Sequence, residues 1–112
     1  MNIEHTEQDG VTILKPIVKN VDTKNIEEFR SQMKQALEGT THVVVNMEEI
    51  QFLDSSGLGA FLSGMRDVTS KGGDLHLCGV TPPVRTLFEL VRLHRIMDIH
   101  ESLEGAVASA RD

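Results

Sequence analysis

Six consecutive residues, His42-Val43-Val44-Val45-Asn46-Met47, constrain this chain's fold more than any other segment. Three β-branched residues in a row favour extended backbone. No polar residue alternates with them, so the strand has no face for solvent and belongs inside a sheet covered on both sides. The flanking segments repeat at helical spacing instead. Ile26, Phe29, Met33, Ala36 and Leu37 share one face before the run, and Leu58, Phe61, Leu62, Met65 and Val68 share one after it. Helix, buried strand, helix is the rhythm of an α/β protein.

The remaining segments extend that pattern. Ile3 to Glu7 and Val11 to Val18 flank Asp9-Gly10, a strong hairpin signal. Pro16 lacks an N–H and is expected near a strand end or a bulge. Asp22 or Thr23 is the expected cap of the first helix, and Gly39 its stop. Lys71-Gly72-Gly73-Asp74 ends the second helix, and Leu75-His76-Leu77-Cys78 reads as a short strand. Thr81-Pro82-Pro83 opens a third helix with Val84, Leu87, Phe88 and Val91 as its apolar stripe. A short edge strand is expected over Ile96 to Ile99. Leu103, Ala106, Val107 and Ala110 mark a last amphipathic helix. The expected order is β-β-α-β-α-β-α-(β)-α: a mixed four- to five-stranded sheet with an antiparallel hairpin at one side, packed with about four helices. No repeat, linker or low-complexity tract interrupts residues 1–112, which read as one compact domain.

Composition removes several functions. Seventeen Asp and Glu against eleven Lys and Arg give a net charge of −6, which opposes non-specific binding to nucleic acid or anionic lipid. Without Trp or Tyr, and with four Phe, the chain is poorly supplied with base-stacking surfaces, so no direct DNA or RNA contact is expected. Cys78 is the sole cysteine; it has no disulfide partner and no metal-ligand spacing, which suits a reducing, cytoplasmic compartment. No apolar run reaches the roughly 18–20 residues of a membrane span. Met1-Asn2-Ile3-Glu4-His5 lacks the basic start of a signal peptide.

Catalytic patterns fail on spacing. Gly59 and Gly64 stand the right distance apart for a phosphate-binding loop, but Met65-Arg66 follows where Lys and Ser or Thr are needed. Gly57-x-Gly59 lacks a third glycine because position 62 is Leu. Neither Ser55 nor Ser56 lies in a Gly-x-Ser-x-Gly elbow. The five histidines at 5, 42, 76, 94 and 100 contain no i, i+4 pair for zinc and read as surface or strand-edge residues. An enzyme with its own cofactor or metal is therefore not expected.

The remaining unusual feature is Asp54-Ser55-Ser56-Gly57, where a strand-to-loop segment becomes a helix. Asp or Ser there accepts a bond from an orphan helix N–H, worth about 1 kcal/mol. Capping accounts for one residue of the cluster. Gly57, Gly59 and Gly64 on one helix each cost roughly 1 kcal/mol relative to Ala, which implies that the sheet or a partner approaches the helix closely. A phosphoserine at a helix N-terminus meets exposed N–H groups and the positive dipole end, so Ser55 or Ser56 could be modified without loss of the fold. Asp54 would add to the negative charge.

Phe52-Leu53-Asp54-Ser55-Ser56-Gly57-Leu58-Gly59 resembles the signature of STAS-domain anti-sigma factor antagonists. The resemblance extends over nearly the whole chain, through Val21-Asp22, the Val43 to Met47 strand, Lys71-Gly72-Gly73-Asp74-Leu75 and Gly79-Val80-Thr81-Pro82-Pro83-Val84. It implies the STAS fold and a partner-switching role. The unphosphorylated antagonist binds an anti-sigma factor that is also a serine kinase, and thereby frees a sigma factor. Phosphorylation breaks the complex, and a PP2C-type phosphatase restores binding. Carried over by position, Ser55 is the phosphoacceptor, and Asp22, Thr23, Asp54, Ser56, Gly57, Leu58 and Gly59 belong to the contact surface. ATP and Mg²⁺ would belong to the kinase partner. The alternative is a non-switching STAS subunit of a larger assembly, stressosome-like or in a lipid-transport ABC complex, with Ser55 only a helix cap.

Overall fold

Asp9-Gly10 turns the chain as its sequence demands. The structure, a computed structural model, describes residues 1–111. Strands β1 (Asn2–Gln8) and β2 (Val11–Ile17) pair antiparallel in register from Asn2↔Ile17 to Gln8↔Val11. Both turn residues have positive φ, 54° at Asp9 and 81° at Gly10. That is the backbone a two-residue turn needs to join two right-twisted strands. Pro16 lies one residue from the end of β2. The parallel ladder on the other side of β2 stops at Leu14, so the missing N–H of Pro16 costs that ladder nothing.

The valine run is β4 (His42–Asn46), the middle strand of five. The order is β1-β2-β4-β6-β7, with β6 at Asp74–Cys78 and β7 at Asp98–His100, and every pairing after the hairpin is parallel. Alternation along these strands sorts the core into two layers. Val43, Val45 and Leu77 join Phe29 and Met33 of α1 (Ile26–Leu37), Phe61 of α2 (Ser55–Ser70) and Phe88 of α3 (Pro82–Leu90). Val11, Ile13, Val44 and Cys78 face the other way, against Ala106, Val107 and Ala110 of α4 (Leu103–Arg111). All three valines are fully buried, as a strand covered on both faces requires. Burial also pushes the Cys78 thiol up to about 11, with Glu48 and Glu104 adding to the effect, so it is an inert core thiol.

Four expectations need correction. The edge strand lies at 98–100 rather than 96–99, because a 3₁₀ turn over Leu93–Arg95 and the burial of Met97 use up the preceding chain. Val91 is exposed, because α3 ends at Leu90 before the stripe reaches it. The residue preceding α1 is Asn25 rather than Asp22 or Thr23; Asp22 Oδ1 accepts from the Lys24 N–H (2.9 Å) and shapes the turn ahead of the helix. His76 is 4% exposed and lies on an inner strand rather than at the surface. Its Nε2 pairs with Asp74 Oδ2 (2.6 Å) and its Nδ1 with His100 Nε2 (3.0 Å), while Asp74 Oδ1 meets His42 Nδ1 (2.8 Å). These bonds satisfy a polar ring that would otherwise be costly to bury.

Candidate functional site at the start of the second helix

Two very short strands, β3 (Asn20–Val21) and β5 (Phe52–Leu53), pair in parallel and bring residues 22–23 beside residues 54–59. The Asp54 N–H donates to the Val21 carbonyl (3.2 Å), and the Thr23 N–H donates to Asp54 Oδ2 (3.2 Å). Asp22 and Thr23 are thereby tied to the start of α2, although more than thirty residues separate them in sequence.

Asp54 is the cap. Its Oδ1 accepts from the Gly57 N–H at 3.0 Å and from the Ser56 hydroxyl at 2.5 Å. The Ser56 hydroxyl, followed by the Gly57 and Ser56 backbone bonds and that of Thr23, holds the carboxyl below the usual carboxylate range; partial desolvation opposes them. A fixed negative charge therefore stands at the helix mouth. Ser56 is half-buried and engaged. Ser55, the first residue of α2, is exposed, and its hydroxyl takes part in none of the described side-chain hydrogen bonds. Of the two serines, Ser55 offers the reachable nucleophilic oxygen.

Close approach to the glycines comes from the chain itself. A Cβ on Gly57 would lie 2.8 Å from Leu53 Cδ1 and 2.9 Å from the Val21 carbonyl oxygen. This buried glycine lets α2 begin directly against the β3–β5 pair. A Cβ on Gly64 would meet Leu37 at 3.3 Å, and one on Gly59 would meet the Arg30 guanidinium at 3.2 Å. Leu58 is half-buried and packs against the core, and Gly59 is partly exposed. The site as built has Asp22, Thr23, Asp54, Ser55 and Ser56 around the helix mouth, with Gly57 beneath them and Leu58 and Gly59 one turn on.

Sequence reasoning missed two neighbours. Phe52 is 51% exposed in the strand that leads to the site, because its neighbour Leu53 takes the buried side. A strand of two residues shows no period, so the sequence carried no signal for it. Arg30 comes from α1 and had no local signal. Among the described residues, no group of three or more His, Cys, Asp or Glu side chains is arranged to hold a metal ion. No helix among them is long and apolar enough to cross a membrane.

A family model of the STAS domain matches residues 2–106. The chain is 33% identical over 109 residues to an anti-sigma F factor antagonist of Paenibacillus polymyxa, covering 96% of this chain and 92% of that one. An anti-sigma-B factor antagonist of Staphylococcus aureus is 31% identical over 107 residues, with 93% and 96% covered. Among solved structures, an anti-sigma factor antagonist from Mycobacterium paratuberculosis superposes with a TM-score of 0.85 at 18% identity, covering 99% of this chain and 94% of the other. That likeness is one of fold.

Proposed function

This chain belongs to the STAS-domain family, and we propose that within it the chain acts as an anti-sigma factor antagonist in a partner switch controlled at Ser55. The unphosphorylated form binds a cognate anti-sigma factor with serine kinase activity and releases a sigma factor. Phosphorylation of Ser55 ends that binding, and a PP2C-type serine phosphatase restores it. ATP and Mg²⁺ act in the kinase. The chain itself is a substrate and a binding surface, not an enzyme.

The observation that carries this reading is the division of labour at the helix mouth. Asp54 caps α2, so the Ser55 hydroxyl is exposed and owes nothing to the fold. A phosphate there adds about −1.5 to −2 charge beside an ionised Asp54 without breaking an existing bond. A partner packed over Asp22, Thr23, Ser56, Leu58 and Gly59 would have to desolvate that charge, and each 1.4 kcal/mol of penalty weakens binding about tenfold. Gly57 is buried, and its part in this surface is to let the helix start where it does.

Incubation with the cognate kinase and ATP, followed by intact-mass measurement, tests the acceptor. Wild type gains one phosphate and Ser55→Ala gains none. Ser55→Ala still binds the anti-sigma partner, whereas Ser55→Glu binds at least about tenfold more weakly. Phosphate found only on Ser56 would move the site by one residue. Equal affinity for wild type, Ser55→Glu and the phosphorylated chain would eliminate the switch in favour of a non-switching STAS subunit.

A further inference from the structure

Ser55, Gly59 and Ser63 follow one another at intervals of four along α2, so they form a single row on one face of the helix. Arg30, reaching over from α1, lies along that row. Its Nη2 is 3.2 Å from where a Cβ of Gly59 would be, and its Nη1 donates to the Ser63 hydroxyl at 3.3 Å. Because residue 59 is Gly, no side chain at that position separates the guanidinium from the next position up the row, Ser55. We propose that Arg30 is the internal cation for phosphorylated Ser55, exchanging its Ser63 bond for a charge-assisted pair with the phosphate. This rests on the reading that Ser55 carries the phosphate.

The geometry makes the exchange short. Residues four apart on a helix have Cβ atoms about 5–6 Å from each other. The guanidinium already touches the Gly59 position, and a phosphate on Ser55 extends into the same interval. The cleft between α1 and α2, about 240 Å³ and lined by Arg30, Lys34, Ala60, Ser63, Gly64 and Asp67, lies on the Ser63 side of the guanidinium, so the side chain is not packed in there. On the other side it faces only the bare Gly59 position. Its present anchor is a single exposed hydrogen bond, and Arg30 forms no ion pair among the described residues. A planar guanidinium facing a phosphate gains two parallel bonds to an anion in place of one bond to an uncharged hydroxyl. Of the acidic groups on the surrounding elements, Asp22 and Asp54 lie at the helix mouth and oppose the phosphate, Glu27 is on α1, and Asp67, about 18 Å further along α2, lines the cleft beside Arg30. Lys24 and Lys34 are the other cations there. Neither Lys24 nor Lys34 is among the residues that approach Gly59 within 4 Å.

The consequence is a phosphate held along the helix face rather than swinging free above Asp54. The test installs phosphoserine at position 55 of the full chain by genetic encoding, so no kinase enters. ³¹P NMR then follows the second ionisation of the phosphate in wild type, Arg30→Lys and Arg30→Gln. The helix N-terminus acts on the phosphate in all three, so their differences isolate residue 30. We expect the wild-type phosphate to ionise at a pH lower than in Arg30→Gln by about half a pH unit or more, with Arg30→Lys between them. Identical titrations in wild type and Arg30→Gln would overturn the proposal. Matching thermal melts of the unmodified wild type and Arg30→Gln are expected, because the residue is exposed. The same phosphoserine chain, assayed for partner binding, tests the switch separately, and undiminished binding there would count against that reading alone.

Discussion

Asp54 and Asp74 each use one carboxylate to gather several partners, one at the end of the short β3–β5 pair and the other at the start of β6, with opposite results. Asp54 binds the Ser56 hydroxyl and the Gly57 N–H, two and three residues away, and leaves Ser55 between them in solvent. Asp74 joins His42, thirty-two residues away, to His76, which continues to His100. Burial alone would raise the Asp74 carboxyl, but the bonds to His42 and His76 outweigh it and the net direction is down. At one end the network completes a helix and keeps a hydroxyl spare. At the other, both carboxylate oxygens of Asp74 and both ring nitrogens of His76 are spent on joining three strands. The difference teaches that a polar cluster points to function where a group is left over, not where the bonds are most numerous.

The largest expected effect tests the closed end. His76→Ala removes a buried ring and leaves Asp74 and His100 each short of a partner. The cost of cavity and lost bonds should be about 2–3 kcal/mol, read from denaturant unfolding, with partner binding by the folded fraction unchanged. A loss below about 0.5 kcal/mol would mean the histidine network holds nothing together and the contrast with Asp54 fails.

That contrast also explains what could be read from the sequence. The hairpin, the valine strand and the stop at Lys71-Gly72-Gly73 are local: Gly72 takes φ 82°, and the Gly72 and Gly73 N–H groups return to the Thr69 and Val68 carbonyls. Asp54-Ser55-Ser56-Gly57 was legible for the same reason, since its capping bonds span two or three residues. His76 was not, because its partners are set by the registers β4–β6 and β6–β7, which no single segment encodes. The β3–β5 pair was missed because two residues are too few to show a period. Its formation is what ties Thr23 to Asp54 and turns Asp22 away from capping α1. Arg30 was hidden likewise, its role being fixed by how α1 crosses α2.

A middle-sized effect tests the open end. Asp54→Ala removes the cap of α2 together with the Thr23 bond, and the melting temperature at neutral pH should fall by roughly 5 °C. The folded Asp54 carboxyl titrates below its ordinary value near 3.8. Its contribution is therefore complete above that value and is lost as the pH falls through the lower folded value. The gap between wild type and Asp54→Ala should accordingly close in acid. A gap that stays constant down to the lowest pH at which both fold would show that the ionised carboxylate is not what caps the helix.

The smallest expected effect is the most discriminating. Ser55→Ala should change stability by no more than about 0.5 kcal/mol, because the hydroxyl is exposed, Asp54 already satisfies the Gly57 N–H and alanine suits a helix. Ser56→Ala, one residue on, should cost about 1 kcal/mol, since it removes the 2.5 Å bond that steadies the capping carboxylate. The two serines differ in nothing but position, so paired melts of the two variants measure directly which hydroxyl belongs to the fold and which is spare. If Ser55→Ala were the more damaging, Ser55 would be part of the cap. Its phosphorylation would then have to break the helix start, and the switch would act by unfolding that turn rather than by placing charge on an intact surface.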